Sequence, residues 1–93
     1  MSSFDINNVD NIKHNIEIWS EKHGKKKNTL ISGWNIDIHI LKKHLLDIKK
    51  KKGCNGTIKK DNTVLLQGEH INYIYTYLLE NSIKSEDINI KYI

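Results

Sequence analysis

The spacing of apolar residues changes several times along this 93-residue chain. In residues 15–20, NIEIWS, Ile16 and Ile18 alternate with polar neighbours, and a period of two predicts a strand. Residues 21–28, EKHGKKKN, are polar and basic around a glycine, and predict a hairpin loop. TLISGW at 29–34 then predicts the returning strand. Over 37–52, DIHILKKHLLDIKKKK, the period becomes helical, with Ile38, Leu41, Leu45 and Ile48 on one face. Asn35 or Asp37 is placed to cap the start of this helix. Four lysines occupy its last turn, where the helix dipole favours cations, and Gly53 is placed to end it.

Two short strands follow, CNGTI and TVLLQ, around the turn KKDN. Residues 69–82 predict a second helix with Ile71, Ile74, Tyr75, Leu78 and Leu79 as its apolar stripe. INIKYI at 88–93 alternates again and predicts a closing strand. The order β-β-α-β-β-α-β defines an α/β chain of the α+β kind: a two-layer sandwich with a mixed sheet and both helices on one face. Residues 1–14 are polar with scattered apolar positions and predict a flexible tail, leaving 15–93 as the single domain.

Composition narrows the class. Hydrophobic residues are 38% and charged residues 28%, as in an ordinary soluble domain. No apolar run approaches the roughly 20 residues that span a membrane, and the start of the chain lacks the pattern of a secretory signal. A lone Cys54 forms no internal disulfide, and these features together predict a cytosolic protein without membrane contact. All fifteen basic residues are lysine, and arginine, alanine and proline are absent. That bias fits an A/T-rich genome, such as that of a protist, a microsporidian or a large DNA virus.

Ten of the fifteen lysines fall in three short patches: Lys22, Lys25, Lys26 and Lys27; Lys49, Lys50, Lys51 and Lys52; and Lys59 and Lys60. Like charges this close repel unless a polyanion neutralises them, and RNA phosphate is the obvious one. The bland alternative is a solvated surface. Without arginine there is no bidentate guanidinium, so the binding expected follows backbone and shape. Trp19 and Trp34 flank the hairpin, where packing competes with base stacking. The five histidines lack ligand spacing, no carboxylates pair and no Gly-rich phosphate loop occurs, so the chain predicts neither an enzyme nor a metal site nor a cofactor. Cys54, Asn55, Gly56, Thr57, Gln67 and Gly68 read as structural joints. Gly56 suits a positive φ, a bulge or a close backbone, Asn55 a bond to its own backbone, and Gly68 a strand end. Glu69 is placed to favour the dipole of the second helix.

The segment KKKGCNGTI, a turn, LLQGE and then an amphipathic helix resembles the eukaryotic translation initiation factor one family. Cys54-Asn55-Gly56-Thr57 stands where that family has CNGT or a near match, and Leu66-Gln67-Gly68-Glu69 where it has LQGD. The basic tip Lys22-His23-Gly24-Lys25-Lys26-Lys27-Asn28, followed by Thr29-Leu30, is similar to the family's basic hairpin loop followed by Thr-Leu. The resemblance covers about residues 15–93 and implies an α/β sandwich.

It further implies a monomeric factor that binds small-subunit ribosomal RNA near the decoding site. Such a factor meets mRNA, initiator tRNA and other initiation factors, and promotes scanning and accurate start-codon choice. The RNA-binding positions would be Lys22, His23, Gly24, Lys25–Lys27, Lys49–Lys52, Lys59 and Lys60. The alternative is a ribosome-binding module of the same fold, of the recycling or reinitiation type, without start-codon duty. The chain departs from the family in a longer basic loop, Lys52 in place of an aromatic, no basic residue soon after LQGE, a shorter turn at 59–62, Tyr92-Ile93 in place of Gly-Phe, and no long acidic tail before the domain.

Overall fold

The computed structural model describes residues 14–91. The expected tail, His14 excepted, and residues 92–93 of the expected closing strand lie outside them. Strands β1 (Ile16–His23) and β2 (Lys26–Ser32) form a hairpin, followed by helix α1 (Ile38–Lys52), β3 (Gly56–Ile58), β4 (Val64–Gln67), helix α2 (Ile71–Glu80), a short 3₁₀ turn (Ser85–Asp87) and β5 (Ile88–Ile90). The five strands make one sheet in the order β3-β4-β2-β1-β5. β1 pairs antiparallel with β2 and parallel with β5, while β4 pairs antiparallel with β2 and β3. Each helix therefore lies in a crossover between parallel strands. The two crossovers travel in opposite directions along the sheet from antiparallel strands, so the right-handed rule puts both helices on the same face. The α+β two-layer sandwich with a mixed sheet is the observed fold.

Helix face and strand alternation explain the core. Ile16, Ile18, Ile31, Val64 and Leu66 point from the sheet into one cluster with Leu41, Leu45 and Ile48 of α1 and Ile74, Tyr77 and Leu78 of α2. Asp37 caps α1 by accepting from the His39 N–H at 2.8 Å, and Gly53 ends it in the left-handed conformation, its N–H donating to the Lys49 carbonyl. Leu30 is also buried but sits outside this cluster. By register it lies on the opposite sheet face, between Trp19 and Leu65.

Several expectations are corrected. The segment 21–28 is not a loop: β1 and β2 stay paired through Glu21↔Asn28, Lys22↔Lys27 and His23↔Lys26, and only Gly24 and Lys25 turn. Gly24 alone of the two has a positive φ (66°), the pattern of a two-residue II′ turn whose twist matches the strands. Trp34 lies beyond β2, which ends at Ser32, and is buried beside α1. α2 begins at Ile71, later than expected, and its buried stripe is rotated: Tyr77 is buried while Leu79 is 40% exposed. The aromatic bulk of Tyr77 packs edge-on against both Trp34 and His44, with ring centroids 6.4 and 5.6 Å away.

Candidate nucleic-acid interface

The register sorts the lysine patches into two poles. The hairpin turn marks one end of the sheet. Asn28↔Gln67 places the end of β4 there, and Gly56↔Leu66 places the start of β3 beside it. α1 runs into β3 through Gly53–Asn55, so Lys49–Lys52 reach the same pole as Lys22, Lys25, Lys26 and Lys27. Lys59 and Lys60 lie in the β3–β4 turn, at the other end. The structure thus brings together two of the three patches and separates the third.

Charge at the shared pole is sparsely compensated. Lys22 and Lys27 stand directly opposite each other, an unfavourable cross-strand arrangement. Lys27 is relieved by Glu69, Nζ to Oε1 at 3.0 Å, and Lys51 by Asp47 at 3.8 Å, one helical turn away. Among the described residues, Lys22, Lys25, Lys26, Lys49, Lys50 and Lys52 have no carboxylate within 4.0 Å. Lys52 instead sits over the Tyr73 ring, 5.0 Å from its centroid. His23 is exposed at the tip, 3.9 Å from Glu21.

The motif residues hold this pole together. The Asn55 carbonyl accepts from the Gln67 N–H at 2.9 Å, and the Gly68 N–H donates to the Lys27 carbonyl at 2.8 Å. Buried Thr29 is a relay: its hydroxyl donates to the Gly68 carbonyl at 2.7 Å and accepts from the His70 N–H at 2.8 Å. Thr57 is exposed in β3, and Cys54 is half-buried against the core. Here too the structure corrects expectations. Of the alternatives at Gly56 the positive φ is absent and the close backbone is present: a Cβ there would stand 2.8 Å from a Leu66 methyl and 3.0 Å from the Leu65 carbonyl, so the glycine allows close packing of β3 on β4. The Asn55 side chain reaches Gln67 Oε1 at 3.5 Å rather than its own backbone. Glu69 precedes the helix, whose first turn has no acid, and turns to Lys27 instead.

Sequence reasoning missed the Trp34–His44–Tyr77 cluster between the helices. His44 stacks on Trp34 at 4.8 Å, and its Nδ1 is 2.7 Å from the Tyr77 hydroxyl. Burial holds the His44 imidazole below its ordinary pKa, against the opposing pull of Asp47, and burial first and Asp47 second push the Tyr77 phenol up to about 12. A histidine three residues after an apolar helix position was the one available signal.

The fold and the pole define a small α+β domain with a concentrated basic end. The translation initiation factor SUI1 family profile matches residues 12–84. The protein translation factor SUI1 homologs of Methanosarcina mazei and Methanosarcina barkeri are each 34% identical over 76 residues, covering 78% of this chain and 70% of theirs. The chain belongs to the translation initiation factor SUI1 family. No helix among the described residues is long and apolar enough to cross a membrane.

Proposed function

We propose that this protein binds the small ribosomal subunit near the decoding site and promotes scanning and accurate start-codon selection, in the cytoplasm. The observation that carries the reading is the meeting of the hairpin and the end of α1 at one pole, with six lysines lacking a carboxylate partner among the described residues. Each such lysine is a point charge for a phosphate, and binding by them releases counterions. The action is electrostatic and steric. The lysines hold the domain on ribosomal RNA while the hairpin, a paired ribbon and not a floppy loop, projects toward mRNA and initiator tRNA. Other initiation factors act in the same complex. Pairing of the start codon then displaces the domain.

The test is affinity for purified small subunits at three salt concentrations. Replacing Lys22, Lys25, Lys26 and Lys27 together by alanine weakens binding and flattens the slope of log K against log salt by up to about 3, at roughly 0.7–0.9 per phosphate contact. Competition with an established family member distinguishes decoding-site binding from binding elsewhere on the subunit. An unchanged slope with unchanged affinity leaves the lysines as solvated surface and ends this reading.

A further inference from the structure

Two lysines from different patches meet in one cleft. Lys27, at the foot of the hairpin, and Lys52, the last residue of α1, line a cavity of about 470 Å³ with His70, Asn72 and Tyr73 at the start of α2. That volume lies within the roughly 300–1,000 Å³ range of small-ligand pockets. The walls carry the chemistry of a nucleotide. Lys27 is held by Glu69 at 3.0 Å, a half-exposed pair that contributes little and releases readily. Lys52 lies over the Tyr73 ring at 5.0 Å, so the ring already hosts a cation. Asn72, His70 and a third lysine, Lys91, which is paired with Glu17, also line the cavity.

We propose that this cleft takes one unpaired nucleotide of an RNA strand, its phosphate between Lys27 and Lys52 and its base against Tyr73, where the Lys52 ammonium rests in the free protein. Glu69 gives up Lys27 to the phosphate. The inference rests on the reading of the basic pole as an RNA surface. It adds a seat that recognises an unstacked base, beyond charge attraction alone. An RNA strand is favoured over a free nucleotide because Lys22, Lys25, Lys26, Lys49 and Lys50 lie around the same pole and meet the neighbouring phosphates.

The experiment follows backbone amide shifts of the isotopically labelled full chain titrated with pentauridylate, with uridine monophosphate and inorganic phosphate as separate arms. Expected are shifts at 27, 52 and 69–73 with the oligonucleotide, and at least about fivefold weaker oligonucleotide binding for Tyr73→Leu, because stacking a base on a ring contributes at least that much. Tyr73→Phe retains binding. Lys52→Gln, an exposed change that spares the fold, is the second variant and also weakens it. Shifts confined to 22–26 and 49–51 overturn the seat and leave the RNA surface standing. Equal shifts and affinity with inorganic phosphate overturn the nucleotide in favour of a bare anion site. No shifts with any RNA, in a protein that still binds small subunits, also overturn the seat. Failure to bind both RNA and subunits removes the reading beneath it.

Discussion

The Lys27 ammonium lies 3.0 Å from the Glu69 carboxylate, joining the foot of the hairpin to the segment that enters α2 across 42 residues of chain. Both side chains are about half exposed, so the pair contributes only about 0–1 kcal/mol to stability. Its larger effect is on charge at the basic pole, where it neutralises one lysine of four in the hairpin patch. Glu69→Gln is expected to leave the melting temperature nearly unchanged and to tighten small-subunit binding, with a salt slope steeper by up to about one contact. A weaker, flatter salt dependence would show that Glu69 positions Lys27 for RNA instead of restraining it.

Separating the poles yields a second expectation. Alanine at Lys59 and Lys60 together should leave the salt slope almost unaltered, whereas alanine at Lys49, Lys50 and Lys52 should flatten it by about 2. Parallel salt titrations of the two variants decide the matter, and equal effects would mean that the bound RNA reaches both ends of the sheet.

Neighbouring residues of α2 provide a stability test. Leu78 is fully buried and Leu79 is 40% exposed. Leu78→Ala is expected to cost about 2–5 kcal/mol in denaturant unfolding, and Leu79→Ala within about 0.5–1 kcal/mol. The same contrast on α1 holds for buried Leu45 against exposed Lys42.

These faces show where the sequence was readable. α1 alternates apolar and charged turns, so its buried Leu41, Leu45 and Ile48 followed from spacing alone. α2 is apolar nearly all round, with Ile71, Tyr73, Ile74, Tyr75, Tyr77, Leu78 and Leu79 in nine residues. Spacing then cannot choose a face, and the Trp34–His44 pair decided it in favour of Tyr77. The hairpin hid its length for the opposite reason. Residues 21–28 hold no apolar alternation, and their pairing rests on backbone hydrogen bonds and the Gly24 turn, which hydrophobic pattern does not report. The lysine patches were visible as composition, but their division between two poles required the register of β3 on β4. Lys52 over Tyr73 and Lys27 beside Glu69 are contacts between distant segments that only the assembled sheet creates.

Gly56→Val is expected to destabilise strongly, by about 1–3 kcal/mol or more, because even a Cβ meets Leu66, the Leu65 carbonyl and Leu45 within 3.1 Å. Gly24→Ala meets no atom within 4 Å and carries only the strain of its positive φ, about 1 kcal/mol. Thermal melts of the two variants compare crowding with backbone strain. A milder Gly56→Val would mean that β3 can move off β4.

His44 gives the fold a pH dependence with a definite sign. Its folded pKa is lowered by burial, so the unfolded chain takes up a proton first as pH falls. Stability contributed by neutral His44 is complete above about pH 7. It declines as pH drops through the ordinary histidine value near 6.5 toward the lower folded one. Denaturant midpoints of the wild type between pH 8 and 5 should fall, and His44→Gln should remove part of that fall. Equal slopes would assign the acid sensitivity to other groups.

The parallel pairing of β1 with β5 has a consequence for how the protein is made. Ile16 is aligned with Ile88, so among the described residues the outer edge of β1 has no strand partner until residues 88–90 have been translated. The β1–β2 hairpin and α1 form from neighbouring segments, but the sheet closes only through contacts between the two ends of the domain, the slowest kind to establish. Until then β1 presents open backbone groups to any passing strand, and the charged residues Glu17, Glu21 and Lys22 along it are its protection against pairing with another nascent chain.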